Sequence, residues 1–332
     1  MQHPIFKTFA FLIIILSVVS CKTDKKFQNT KLSGAVFGTS YSAIYDVETD
    51  FSEQFDSIFK VINKSMSTYQ KDSDISKWNR NESNEIDAHF IEVYNASKRI
   101  YEQTNGVFDP TIGTIVNALG FGPEEKMNEL DSLKVDSLMQ FVGFDKLFLA
   151  DRFLIKKHKS TYMDFNAIAK GYGVDVIANF LESKNSDNYL VEIGGEIRSK
   201  GKNLEKDAPW KVGIDNPNFD GSQSVIKAIT LTDDAMATSG TYRKFKVDEN
   251  GNRYAHIIDA KTGYPSKTNI LSVSVLAPNC MTADGFATAF QAMGIEKIDE
   301  FLKTHPELKV FIIYESDNGD LMTQAFNGFP ES

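Results

Sequence analysis

The chain contains only two cysteines, Cys21 and Cys280. Two thiols cannot build the disulfide framework of a small secreted scaffold, and they fall in no Cys/His spacing suited to zinc. Histidine is equally sparse. His3, His89, His158, His256 and His305 are scattered, with no HxxxH or HExxH pair. Positive charge is outnumbered: 36 Lys and Arg stand against 45 Asp and Glu, a net charge of −9. Nucleic-acid binding is driven by Lys and Arg on phosphates, so this balance argues against a nucleic-acid partner. It also means that a phosphate-bearing ligand would need a metal ion or a cradle of backbone amides. No internal repeat and no low-complexity block is present, which sets repeat architectures aside.

Long apolar runs are missing too, with one exception. Behind Lys7, the segment Thr8 to Ser20 is almost wholly apolar. Its thirteen residues would span about 20 Å as a helix, at about 1.5 Å per residue. A bilayer core is about 30 Å thick, so the run has the length of a signal-peptide core rather than of a membrane span. It ends in Val18-Val19-Ser20-Cys21, which resembles the lipobox of bacterial lipoproteins. The expected organisation is a cleaved signal peptide over 1–20, a lipidated tether over 21–30 beginning at Cys21, and one domain over 31–332. That arrangement places the domain outside the cytoplasmic membrane, held to a bacterial membrane by lipid, most simply on the periplasmic side.

The remaining elements are mixed. Phe37 to Tyr45 alternates like a half-buried strand. Phe51, Phe55, Ile58, Phe59 and Ile62 follow helical spacing. So do Val93, Tyr94, Ile100 and Tyr101, a helix that Asn105-Gly106 would stop with a left-handed cap. Ile168, Tyr172, Val176, Phe180 and Leu181 outline a third helical face. Strands are expected at Tyr189–Ile193, Trp210–Ile214, Val225–Leu231, Ala255–Ile258, Leu271–Val275 and, last, Lys309–Tyr314. A fourth helix follows Cys280, with Ala283, Phe286, Ala287 and Phe290 inward. The segments 205–209 and 216–224 read as surface loops. Early helices, central strands and a late helix predict an α+β fold of mostly antiparallel sheets flanked by helices.

Four stretches crowd glycine with oxygen-bearing side chains. Gly106 to Thr111 and Gly120 to Pro123 carry the Gly and Pro of tight turns. Asp164 to Gly171 leads into the third helix, whose start would offer amides and Lys170 to an anion, or would be capped by Asp164 or Asn166. Ala237 to Gly240 reads as a Thr/Ser/Gly turn near His256, which is placed in a strand. On the late helix Asp284 and Thr288 are one turn apart on one face. Their oxygens could bind a hard cation such as Mg²⁺, or could serve the helix itself, with Asp284 at the dipole and Thr288 bonded back.

Together these stretches resemble the ApbE family of flavin transferases. The likeness runs through Phe37-Gly-Thr39, Met66-Ser-Thr-Tyr69 with Asp74 and Asn79, Gly106 to Thr111 and Gly120 to Pro123. It continues through Asp164 to Asp175, Ile193-Gly-Gly-Glu196, Ala237 to Gly240, His256 to Pro265 and Ala283 to Thr288. The resemblance implies a single α+β domain that takes FAD and Mg²⁺, attaches FMN through a phosphoester to a Thr or Ser of a target flavoprotein, and releases AMP. The targets it implies are membrane or periplasmic electron-transfer proteins. By position, Asp284, Thr288 and the carbonyl of Ala167 would hold Mg²⁺. Phe37, Tyr69, Val107, Phe108, Asp109, Asp164, Lys170 and Ile258 would line the FAD site, and His256 would act on the acceptor hydroxyl. Phe37 stands where many members have Met, which should keep an apolar contact. Phe165-Asn166 stands where Leu-Gly or Leu-Ser is usual, so the side chain at 166 would change a contact near the metal while the Ala167 carbonyl survives as a ligand. FAD hydrolysis to FMN and AMP, and flavin binding without turnover, are the alternatives that the same residues would serve.

Overall fold

The structure is a computed structural model that describes residues 28–127, 130–242, 245–247 and 253–331. The signal segment, Cys21 and most of the tether therefore lie outside the described residues. The chain opens with a hairpin of β1 (Thr30–Val36) and β2 (Thr39–Tyr45). Five helices follow: α1 (Ser52–Met66), α2 (Asp74–Asn79), α3 (Ala88–Gln103), α4 (Gly113–Ala118) and α5 (Ser132–Met139). A small hairpin of β3 (Leu147–Ala150) and β4 (Phe153–Lys156) precedes α6 (Ala169–Ser183). Then come β5 (Tyr189–Ile193), β6 (Glu196–Lys200), β7 (Lys202–Asn203), β8 (Ala208–Asp215), β9 (Val225–Leu231) and β10 (Ala235–Gly240). The last elements are β11 (Phe245–Val247), β12 (Arg253–Ala255), β13 (Ile270–Ala277), α7 (Cys280–Met293), α8 (Ile295–Leu302), β14 (Lys309–Glu315) and β15 (Leu321–Phe326).

Eight strands form the main sheet in the order β1-β2-β5-β6-β10-β13-β14-β15. Every pairing between these strands is antiparallel, consistent with an α+β fold. The central strand β13 is buried almost throughout, as a strand covered on both faces must be. Helices α6 and α7 lie against the sheet and against each other. Their contact is tight because Gly171 has no side chain. A Cβ there would stand 2.4 Å from the carbonyl oxygen of Cys280 and 2.8 Å from Cβ of Asp284. Two anchors fix the pair. Both Asp175 carboxylate oxygens accept amides at the start of α7, from Cys280 at 2.9 Å and Met281 at 2.8 Å. Arg198 Nη1 completes the cluster 3.1 Å from Asp175 Oδ1.

Several expected elements change. The strand expected from Phe37 begins at Thr39. Phe37 (φ 48°) and Gly38 (φ 75°) form the turn of the first hairpin, and β1 precedes them. The Ala237–Gly240 stretch is not a turn but most of β10, a central strand whose small residues let α7 pack on it. The strand expected over Ala255–Ile258 stops at Ala255, so His256 follows β12, and only Ile258 returns to an isolated bridge with Pro265. The expected last strand is followed by another, β15. On α6 the burial is wider than a single stripe: Val174, Ile177 and Ala178 are fully buried because the helix packs on α1, β5, β6 and α7 at once. The helix stop at Asn105 and Gly106 is as expected, both with positive φ (51° and 78°).

Candidate active site

A cavity of about 870 Å³ opens where the N-terminal end of α6, the middle of α7 and the 256–260 segment converge. Ligand cavities commonly run from about 300 to about 1,000 Å³, so this one can take a large organic molecule. Phe37, Tyr69, Val107, Phe108, Asp109, Asp164, Ala167, Lys170, His256, Ile258, Asp284 and Thr288 all line it. Sequence positions spread over some 250 residues thus meet in one space.

Each arrives by a local cause. Phe37 is held by its turn and packs edge-on against Phe59 at 5.6 Å between ring centres; Gly173 leaves room for it, since a Cβ there would stand 2.8 Å from its ring. Tyr69 follows α1 and is 60 % exposed, so it offers an open aromatic face. Asp109 is buried. Burial pushes its carboxyl up to about 6, against the two bonds it accepts from Thr111 N and Oγ1 at 2.8 and 2.6 Å. Phe165 anchors the loop before α6 in the core, 5.0 Å from the Phe90 ring. That leaves Asp164 and Asn166 facing each other. Asp164 accepts the Asn166 amide at 2.8 Å and its side-chain nitrogen at 3.0 Å. Neither caps α6, whose first residue is preceded by Ile168 with no side-chain cap. The unusual Asn166 therefore spends its side chain on Asp164.

Lys170 does not stand as a free cation at the helix start. Its Nζ lies 2.6 Å from Glu196 Oε1. Burial lowers its pKa, but Asp284 and Glu196 outweigh burial and hold it well above the ordinary lysine value. Burial likewise pushes the Glu196 carboxyl up, against the pull of Lys170. Glu196 Oε2 is buried with no hydrogen-bond partner and its residue lines the cavity. Glu196 was present in the Ile193-Gly-Gly-Glu196 stretch, but nothing local marks it as a site residue; only the β5–β6 turn aims it inward. Ser239 was missed in the same way. As part of β10 it reaches the Thr288 hydroxyl at 3.2 Å.

On α7, Asp284 is buried and its Oδ2 accepts the Gly171 amide at 3.0 Å. The Thr288 hydroxyl is directed across to Ala167, 3.5 Å from its carbonyl oxygen. Both side chains thus reach across to the start of α6. Among the described residues no three His, Cys, Asp or Glu side chains gather into a metal cluster. Where α7 faces the start of α6, Asp284, Thr288 and Ala167 offer instead one carboxylate, one hydroxyl and one carbonyl. All are hard oxygen donors, a set that fits a small cation retaining waters and phosphate oxygens as its other ligands. His256 lines the same cavity, with its ring 6.3 Å from that of Phe121. Cys280, close by, is fully buried, and burial raises its thiol well above the ordinary value, so it is not a nucleophile.

Comparison with known proteins identifies the family. A family model described as the ApbE family matches residues 37–312. The solved flavin transferase ApbE from Vibrio cholerae is 35% identical with a TM-score of 0.81, over 90% of this chain and 97% of that one. The apo flavinyl transferase ApbE of Pseudomonas stutzeri is 26% identical with a TM-score of 0.80, over 90% and 94%. A relative from Haemophilus influenzae named FAD:protein FMN transferase is 39% identical over 330 residues, 95% of this chain and 94% of the relative. Likeness in sequence, fold and length together establishes that the chain belongs to the ApbE family.

Proposed function

We propose that this cavity binds FAD and transfers its FMN moiety to a Thr or Ser hydroxyl of a target protein, releasing AMP. The observation that carries the reading is the meeting of Asp284, Thr288 and the Ala167 carbonyl in one large cavity that His256 also lines. The names of the relatives support flavin transfer from FAD to protein. Asp284, Thr288 and Ala167 would hold Mg²⁺, which when bound neutralises diphosphate charge and stabilises the leaving phosphate. Phe37, Tyr69, Val107 and Ile258 supply apolar and aromatic contact for the rings of FAD, and Asp109 and Asp164 supply polar contacts. Lys170, kept charged between Glu196 and Asp284, adds a fixed cation beside the diphosphate.

In the reaction the acceptor oxygen forms a bond to the FMN phosphorus as the bond from that phosphorus to the AMP oxygen breaks. The hydroxyl proton passes to a ring nitrogen of His256, a group whose ordinary pKa near 6.5 suits a base at neutral pH. The targets are extracytoplasmic flavoproteins within reach of an enzyme lipidated at Cys21. The test is to incubate the protein with FAD, Mg²⁺ and a candidate acceptor and to record intact mass. An acceptor heavier by one FMN, with one AMP released per label, is expected, and Asp284→Ala should abolish both. Release of AMP and free FMN at the same rate with and without acceptor would replace transfer by hydrolysis. Retained FAD with no AMP would leave only a binding protein.

A further inference from the structure

The outer face of the β3–β4 hairpin carries the most exposed aromatic pair in the described structure outside the cavity. Phe148 is 66 % exposed, Phe153 44 % and Ile155 46 %. Register puts them together: Phe148 pairs with Ile155, and Ala150 with Phe153. Side chains alternate along a strand, so 148, 150, 153 and 155 share one face. The opposite face, with Leu147, Leu149 and Leu154, packs into the core. The hairpin is not a loose flap. Leu154 N and Ile86 N bond to Asn84 O and Arg152 O at 2.8 and 2.9 Å, which pins β4 to the segment before α3.

This apolar face has a cationic border in an otherwise acidic protein. From Arg152 to Lys159 the chain carries four Lys and Arg and no acid. Lys156 turns inward over the Trp78 ring and bonds to Asn79 and Thr161 carbonyls. Arg152 is held by Glu85 at 3.2 Å, and Asp151 sits in the turn. Lys157 and Lys159 are exposed, and among the described residues neither makes an ion pair. Lys157 shares the parity of Phe153 and Ile155, and its amide extends the ladder to Lys146 O at 2.8 Å.

We propose that this face docks on the surface of an anionic membrane, with Phe148, Phe153 and Ile155 entering the headgroup boundary and Lys157 and Lys159 meeting lipid phosphates. Three apolar side chains are too few for a stable protein interface, which needs about 800 Å² per partner. They suffice for interfacial binding, where a small apolar anchor and basic residues act together and each Lys near the surface contributes about fivefold. The proposed contact is superficial, and among the described residues no helix is long and apolar enough to cross a membrane. Beside a lipid at Cys21, such a contact would fix the orientation of the cavity and not only its distance from the bilayer.

The test uses the full chain with a Phe148→Trp reporter, reconstituted into vesicles of phosphatidylcholine alone or mixed with phosphatidylglycerol. The native Trp78 and Trp210 are buried, so their emission is insensitive to lipid. A blue shift and quenching by brominated acyl chains are expected on phosphatidylglycerol vesicles and not on phosphatidylcholine. Lys157→Gln and Lys159→Gln should each lower the docking equilibrium constant about fivefold. Ile155→Trp on the neighbouring strand should report the same behaviour, which covers a reporter that fails to fold. Equal emission on both lipids overturns the proposal. So does a shift that needs an acceptor flavoprotein, or one that follows protein concentration without vesicles, because either would put a protein on this face.

Discussion

Gly171→Ala probes the contact on which the site depends. The added Cβ would stand 2.4 Å from the Cys280 carbonyl oxygen, 2.7 Å from its carbonyl carbon and 2.8 Å from Asp284 Cβ. Two of these atoms are backbone, so no flexible side chain can give way. Ordinary contact begins at 3.4 Å, and helices α6 and α7 must therefore part by about 1 Å. Overpacking of this size costs about 1–3 kcal/mol. In a domain of about 300 residues that lowers Tm by roughly 2 °C per kcal/mol or less. The functional effect should be larger. The same movement draws Asp284 and Thr288 on α7 away from the Ala167 carbonyl before α6, and displacement of about 1 Å at a reacting centre can cost about 10²-fold. The assay is FMN labelling of an acceptor at saturating FAD over a Mg²⁺ titration, beside a thermal melt. A folded variant with a modest fall in Tm, a raised Mg²⁺ requirement and about a hundredfold slower labelling is expected. Labelling and melting equal to wild type would refute the claim that the missing Cβ sets the distance between the two helices.

Thr288→Val keeps the shape but removes the hydroxyl that reaches Ala167 and Ser239. It should raise the Mg²⁺ needed for half-maximal transfer at least roughly tenfold, and an unchanged Mg²⁺ titration would remove Thr288 from the ligand set. His256→Ala should slow transfer by about 10² to 10⁴ while FAD fluorescence titration shows unaltered binding. Equal loss of both would make the histidine a structural residue. Asp109→Asn retains an oxygen that can accept both Thr111 bonds while removing a buried charge. Because the folded pKa is raised from 3.8 to about 6, the wild type holds this proton longer folded than unfolded, and its stability falls as pH rises between those values. The variant should match wild type near pH 4 and gain on it up to about pH 6, by at most roughly 3 kcal/mol. Denaturant melts across that range check this, and a difference that does not change with pH would exclude titration of Asp109 as its cause.

How much of this was legible in the sequence depended on range. The helices α1, α3 and α7 and the strands β5, β8, β9, β13 and β14 announce themselves because apolar period and local turn residues act within a few positions. The Phe37–Gly38 turn did not, because a positive φ at a phenylalanine contradicts local preference and is held by packing on Phe59 and Gly173. The small residues of β10 read as a turn because their role is to admit α7, a partner some fifty residues away. For Asp164 and Asn166 a helix cap stayed open beside an anion-binding helix start, since composition cannot tell either from a pair of side chains that bond each other.

The sequence by itself determined which groups could do chemistry here. Few cysteines, few histidines and an acidic balance leave oxygen ligands, one well-placed histidine and backbone amides. Residues one turn apart on α7 must share a face whatever the fold. Only tertiary structure decided what that face meets. Asp284 bonds to an amide 113 residues away, Thr288 reaches a carbonyl 121 residues away, and Glu196 on β6 ties Lys170 on α6. Such pairings carry no periodic signal. They exist because two helices approach at a glycine, and an absent side chain shows its meaning only when the atoms it makes room for are in place.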